Sequence, residues 1–173
     1  MITIPRPDKS EYFEYYDKYI QLVPNGNLLE QYRSVFDETK RLILSLNEEK
    51  LNFRYAEGKW SIKEIMMHLA DGERVFAYRA LRFARKDPTP LAGFDENLYA
   101  PESKASSRKI EDIMREFTAI RAASIELFNS FDDEILKRKG IANGKEISVR
   151  ALAYNILGHE LHHVGVIKER YLK

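Results

Sequence analysis

Apolar side chains recur every three to four positions along four separate stretches of this 173-residue chain. That repeat is the signature of amphipathic helices and points to an all-α architecture. The first stretch runs from about Leu28 to Leu46, with Leu28, Tyr32, Val35, Phe36, Leu42, Ile43 and Leu46 on one stripe. Asn27 is placed to cap it, and Glu30 follows three positions later. The second has the clearest start: Ser61 and Glu64 stand at capping-box spacing, with Trp60 and Ile65 placed as a hydrophobic staple. Its pattern continues through Leu69, Phe76 and Phe83 and stops before Pro88 and Pro90. The third starts near Ser107 and repeats through Ile110, Ile113, Met114, Phe117, Ile120, Leu127, Phe128 and Phe131, ending near Asp132–Asp133. The fourth, capped by Ser148, covers about Val149 to Tyr171.

These stretches predict a four-helix bundle in a single domain over residues 1–173. A long connection from Lys86 to about Ser106 acts as a crossover, which permits a topology other than simple up-and-down. Ser10 to Ile20 reads as a short aromatic helix closed by the Pro24–Asn25–Gly26 turn. Asn143–Gly144 predicts a tight turn in a small hairpin between Ile141 and Ile147.

Composition removes several function classes. The chain has no cysteine, which excludes disulfides, thiolate metal sites, iron–sulfur clusters and a cysteine nucleophile. Its net charge of +1 gives no global attraction to nucleic acid or to a membrane surface. Arg74, Arg79, Arg82, Arg85 and Lys86 gather on the second helix, but acidic residues interrupt or flank them. They read as a solvated face paired with the acidic third helix, with no nucleic-acid partner. No stretch approaches the ~20 apolar residues of a membrane span. The opening MITIPRPDKS lacks a signal-peptide apolar run, so a cytoplasmic protein is expected.

The histidines carry the chemistry. Three of the four lie in the run GHELHH, and His159 and His163 are four residues apart. On a helix that is about 40° of rotation and one turn of rise, so both rings can reach one point. Leu152, Ile156 and Ile167 share or adjoin that face, which turns the pair inward. His68 lies on the buried face of the second helix with Ile65, Leu69, Gly72 and Val75, and Gly72 clears bulk one turn on. Neutral imidazoles aimed into an apolar space need a partner, and a divalent metal ion supplies one. His68, His159 and His163 are therefore the candidate metal ligands. Nickel and zinc are the foremost ions; iron, cobalt, manganese and copper also accept imidazole. His162, rotated about 60° from His159, is a flanking residue.

The same residues match the H-E-x-x-H pattern of zinc proteases. Only ten residues follow His163, none of them histidine, and no strands are evident to hold a peptide, so a protease is rejected. The catalytic candidates are Asp71, one turn from His68, Arg79, back on the His68 face and suited to an anionic substrate, and Glu160, a neighbour of the site or an ion-pair partner on the next face. Phe94, Asp95 and Tyr99, with Gly93 as a bend, are candidates to cover the open side of the metal. Trp60 is expected in the core.

Trp-Ser before the second helix, H-L-A-D on it and G-H-E-x-H-H on the last helix together resemble the DinB/YfiT-like family, and the resemblance runs over nearly the whole chain. It implies a four-helix bundle, often a homodimer. It also implies a metal held by one histidine of the second helix and an i, i+4 pair of the last, which match His68, His159 and His163. Relatives of this kind bind nickel, zinc or other divalent ions, and include transferases that add low-molecular-weight thiols to electrophiles and a mycothiol-dependent isomerase. The expected function is a metal-dependent transferase that joins a small thiol to an electrophilic small molecule. The alternatives are a metal-dependent hydrolase of a small substrate and a non-enzymatic metal-binding stress protein.

Overall fold

In the computed structural model, which describes residues 2–173, four long helices form the bundle. They are α2 (Leu28–Leu44), α4 (Ile62–Ala84), α6 (Ile110–Asn129) and α8 (Val149–Val166). Short helices join them: α1 (Asp17–Ile20), α3 (Glu48–Asn52), α5 (Glu96–Glu102) and α7 (Asp133–Lys137). Strands β1 (Lys139–Ala142) and β2 (Lys145–Ser148) make the antiparallel hairpin ahead of α8. Asn143 and Gly144 both take positive φ at its turn, at 51° and 70°.

The helix starts are set locally. Asn27 accepts hydrogen bonds from the amides of Leu29 and Glu30 at the head of α2. Ser61 and Glu64 close a reciprocal capping box on α4, and Ser148 accepts from the Ala151 amide on α8. α4 packs chiefly on α8 and α6, and α2 packs on the same two helices. Thus α2 and α4, consecutive long helices, lie across the bundle from each other rather than side by side. The bundle is not a simple up-and-down one.

Two segments differ from the sequence expectation. Ser10–Ile20 is not a continuous helix. It is two 3-10 turns (Lys9–Glu11 and Glu14–Tyr16) followed by the single turn α1, because Tyr12 is extended, with φ −152°. Long-range ties hold it that way: Glu11 pairs with Arg150 of α8, and α1 lies against α8. The crossover is also more ordered than a loop, since Asp95 caps α5 by accepting from the Asn97 amide.

A close approach fixes this N-terminal layer. A Cβ on Gly158 of α8 would sit 2.1 Å from the Tyr19 carbonyl oxygen. Gly158→Ala must push α1 away from α8 and is expected to cost about 3 kcal/mol, or roughly 6–12 °C in Tm. A calorimetric Tm within 2 °C of wild type, on the order of the smallest such overpacking cost, would contradict that packing.

The apolar core is divided by a polar layer. One cluster includes Phe76–Ala84 of α4, Ile125 and Phe128 of α6, and Ala151–Leu157 of α8. The other includes Ile62–Ala70, Ile110–Phe117 and Ile167–Tyr171. Between them on the three helices stand Glu73, Arg121 and Glu160, all buried.

Candidate metal centre

The extensive α4–α8 contact places His68 opposite His159 and His163. One side-chain nitrogen from each of the three lies within 4.8 Å of the others. His68 Nε2 is 2.9 Å from His159 Nε2, which is 3.1 Å from His163 Nε2. Gly72 lies beside this cluster: a Cβ there would meet the His159 ring at 3.4 Å, an ordinary van der Waals contact. A larger side chain would crowd the middle imidazole out of place.

Three nitrogens converging on one point cannot satisfy each other. A neutral imidazole nitrogen either donates one hydrogen or offers one lone pair, so the central Nε2 can serve one neighbour only. A cation accepting three lone pairs resolves the conflict, and N–N spacings near 3 Å suit metal–nitrogen bonds of about 2.0–2.1 Å. The rings are also electrically prepared for it. Burial lowers His68 to about 4 and His163 to about 3. Burial, followed by the charges of His163 and His68, holds His159 well below the ordinary value. All three are neutral, ligand-ready imidazoles at pH 7.

Those shifts set the acid stability of the metal-free protein. The unfolded chain takes up protons at these histidines as the pH falls through about 6.5, while the folded chain resists until about 4 or below. Stability is therefore full above about pH 6.5 and falls as acid is added. Between pH 7 and 5 we expect a loss of several kcal/mol, on the order of 10 °C in Tm, reduced when His68 and His163 are both replaced by glutamine. A flat profile for the wild type would contradict the burial.

Aromatic side chains fix the rings. Tyr19 of α1 packs edge-on to His159 and His162, with ring centres 5.4 and 5.3 Å away. Trp60 lies 4.7 Å from the His68 ring. Its backbone is pinned by Tyr171 beyond α8, whose hydroxyl donates to the Trp60 carbonyl at 2.6 Å. Trp60 was expected in the core; it packs on core residues and also walls the site. The histidines open into a cavity of about 460 Å³ between α4, α8, the N-terminal turns, the hairpin and the crossover. Phe94 and Gly93 line it as expected of a cover, and so does Glu96. Tyr99 instead lies tilted against Phe94, half exposed, and Asp95 caps α5.

The three catalytic candidates separate. Arg79 is buried, not solvated as its neighbours' pattern suggested, and it lines the cavity. Asp71 does not line the cavity; it pairs with Arg74 at 3.2 Å, and burial raises its pKa. Glu160 points away from the histidines, into the polar layer, with its Oε2 2.8 Å from Arg121 Nη2. The same guanidinium donates to both oxygens of Glu73. Burial works against the Arg121 charge, but Glu160 and Glu73 outweigh it and push its pKa up. The H-E-x-x-H pattern thus contains no carboxylate facing the histidine centre. Of the other basic residues, Arg74 pairs with Glu116 of α6, while Arg82 pairs with Asp87. No helix among the described residues is long and apolar enough to cross a membrane.

A bundle with inward histidines on two helices that face each other defines a helical protein with a polar centre opening to a cavity. The DinB superfamily profile matches residues 31–167, and the chain belongs to that superfamily. An Oceanobacillus iheyensis protein named "Putative metal-dependent hydrolase" is 29% identical over 143 residues, covering 81% of this chain and 79% of its own. A Geobacillus thermodenitrificans protein of the same name is 24% identical over 139 residues, covering 78% and 77%. Among solved structures, YfiT from Bacillus subtilis, described as a probable metal-dependent hydrolase with an unusual four-helix bundle topology, has a TM-score of 0.73 at 18% identity, over 95% of this chain and 90% of its own. The mycothiol-dependent maleylpyruvate isomerase has a TM-score of 0.66 at 12% identity, over 85% of this chain and 61% of its own. Both likenesses show the four-helix fold.

Proposed function

We propose that His68, His159 and His163 hold one divalent cation, nickel or zinc foremost, and that the chain is a metal-dependent enzyme acting on an electrophilic small molecule in the adjoining cavity. The observation that carries this reading is the convergence of three neutral imidazole nitrogens on the wall of a cavity large enough for a small substrate. A divalent cation, when bound, supplies Lewis acidity that makes water or a thiol nucleophilic near neutral pH. The protein's own part is to place and shield. Tyr19, Trp60 and Phe76 exclude bulk water around the rings. His162, its ring centre 5.1 Å from that of His163, and Glu96 both line the cavity and are the candidates to accept a proton there.

Hydrolysis is the reaction favoured by the names of the two sequence relatives. Thiol transfer is the second reading, favoured by the lack of a carboxylate in the histidine cluster, since a thiol of modest acidity needs less help from a base than water does. The discriminating experiment incubates zinc- or nickel-loaded protein with small esters, amides and epoxides, with and without a low-molecular-weight thiol. Metal-dependent turnover without thiol is expected of the hydrolase; a conjugate formed only with thiol establishes the transferase. Tight metal occupancy with no turnover in either arm leaves the metal-binding stress protein. The homodimer belongs to the same proposal. Light scattering showing a monomer mass at all concentrations would count against it.

A further inference from the structure

We propose that Arg79 anchors an oxyanion, a carboxylate or phosphate group, on the small molecule that enters the histidine cavity. This rests on the reading of that cavity as the substrate site and narrows it to anionic substrates with an apolar body.

Arg79 is only 4% exposed, yet no carboxylate pairs with it among the described residues. The contrast within the fold is direct: buried Arg121 has Glu73 and Glu160, and Arg150 has Glu11. The one hydrogen bond from Arg79 runs from Nη2 to the Ala92 carbonyl, at 2.9 Å. The rest of its planar fork has no protein partner among the described residues, and the side chain forms part of the cavity wall. Glu96 lines the same cavity without pairing to it. A guanidinium withdrawn from bulk water into a cavity wall, with no counter-charge beside it, is costly. Burial lowers its pKa, and only the Tyr16 hydroxyl opposes that. An incoming oxyanion would offset the cost, and the N–H groups that Ala92 leaves free can donate to its two oxygens. Lys145, held 4.5 Å over the Phe13 ring, adds a second cation to the wall.

The spacing defines the rest of the ligand. Arg79 lies eleven residues after His68, about 20° round the helix, so both sit on one face of α4. Between them the Phe76 ring is 6.0 Å from the His159 ring and 5.9 Å from the Arg79 guanidinium carbon. A molecule bound to Arg79 must therefore pass an aromatic surface before its other end reaches the histidines. The ligand has an oxyanion at one end, an apolar segment along Phe76 and Phe94, and the reacting bond at the other end.

The test uses zinc-loaded protein with benzoate, inorganic phosphate and benzamide as probes, read by Trp60 fluorescence, since this is the chain's single tryptophan. Arg79→Gln keeps a polar amide but removes the charge, and Arg79→Lys keeps the charge but not the fork. Zinc content and the thermal melt check that each variant is folded and loaded. Benzoate or phosphate is expected to bind wild type, to weaken at least about tenfold in Arg79→Gln and to recover in part in Arg79→Lys, with benzamide indifferent to either change. Whichever anion binds tighter identifies the group. Equal anion affinity in wild type and Arg79→Gln, or no anion binding to wild type, overturns the proposal. Failure of the metal reading shows separately as absent zinc uptake, and the same titration on zinc-free protein still isolates Arg79.

Discussion

His159→Ala is expected to lower metal content from about one equivalent per chain to below a tenth, through a loss of affinity exceeding the roughly 10–100-fold typical of second-layer changes. Its Nε2 is the middle of the three, contacting those of both His68 and His163. Its removal leaves two imidazoles from different helices and a gap where they met. His68→Ala and His163→Ala are expected to fall almost as far. His162→Ala should change occupancy less than about threefold, because its ring stands outside the converging trio. Elemental analysis after dialysis reads the result, and a thermal melt separates lost ligation from lost folding. At a hundredfold excess over the dissociation constant, zinc should stabilise wild type by about 2.7 kcal/mol. It should stabilise the three ligand variants by almost nothing. Full occupancy in all four variants would refute the ligand assignment.

The second large effect lies in the polar layer. Arg121→Met should destabilise the fold by about 3–5 kcal/mol, roughly 6–20 °C in Tm, because it strands two carboxylates in the core. Glu73 and Glu160 are 2% and 1% exposed, so water cannot take over the role of the guanidinium. The loss also removes a hydrogen bond from Nη1 to the Tyr32 carbonyl and contacts with the Tyr32, Phe36 and Phe117 rings. Adding Glu73→Gln and Glu160→Gln to Arg121→Met should recover a large part of the stability, since the charge problem then disappears. Urea unfolding of the single and triple variants tests this. A single-variant loss under about 1 kcal/mol, or no recovery in the triple, would show that the buried charges are not what holds α4, α6 and α8 together there.

Local signals were enough for the long helices. Asn27, Ser61 and Ser148 are caps whose hydrogen bonds lie within three residues, and each marks its helix start in the structure. The 3.6-residue period then dictates which face turns inward, which is why His68, His159 and His163 could be singled out before any contact was visible. What the period cannot convey is partner choice across helices. Glu160 reads as a neighbour of the site or an ion-pair partner on the next helix face, but the period does not show that the partner is Arg121, shared with Glu73, 48 residues earlier in the chain. Trp60 reads as a staple residue because its approach to His68 depends on Tyr171, 111 residues away. The segment before Pro24 misleads for the same reason: its local propensity is helical, but Glu11 is held by Arg150 and Tyr19 by the gap at Gly158. Arg79 reads both as one of a basic stripe and as a residue of the His68 face. Only the crossover folding back over α4, with Ala92 accepting its hydrogen bond, removes it from solvent.

The central claim is that three imidazoles on two helices share one cation. X-ray absorption at the zinc edge of the loaded wild-type protein, analysed for imidazole scattering, addresses it without knowledge of any substrate. Three imidazoles per zinc, falling to two in His68→Ala with whatever zinc that variant retains, is the expected result. A wild-type spectrum with one imidazole or none would contradict it.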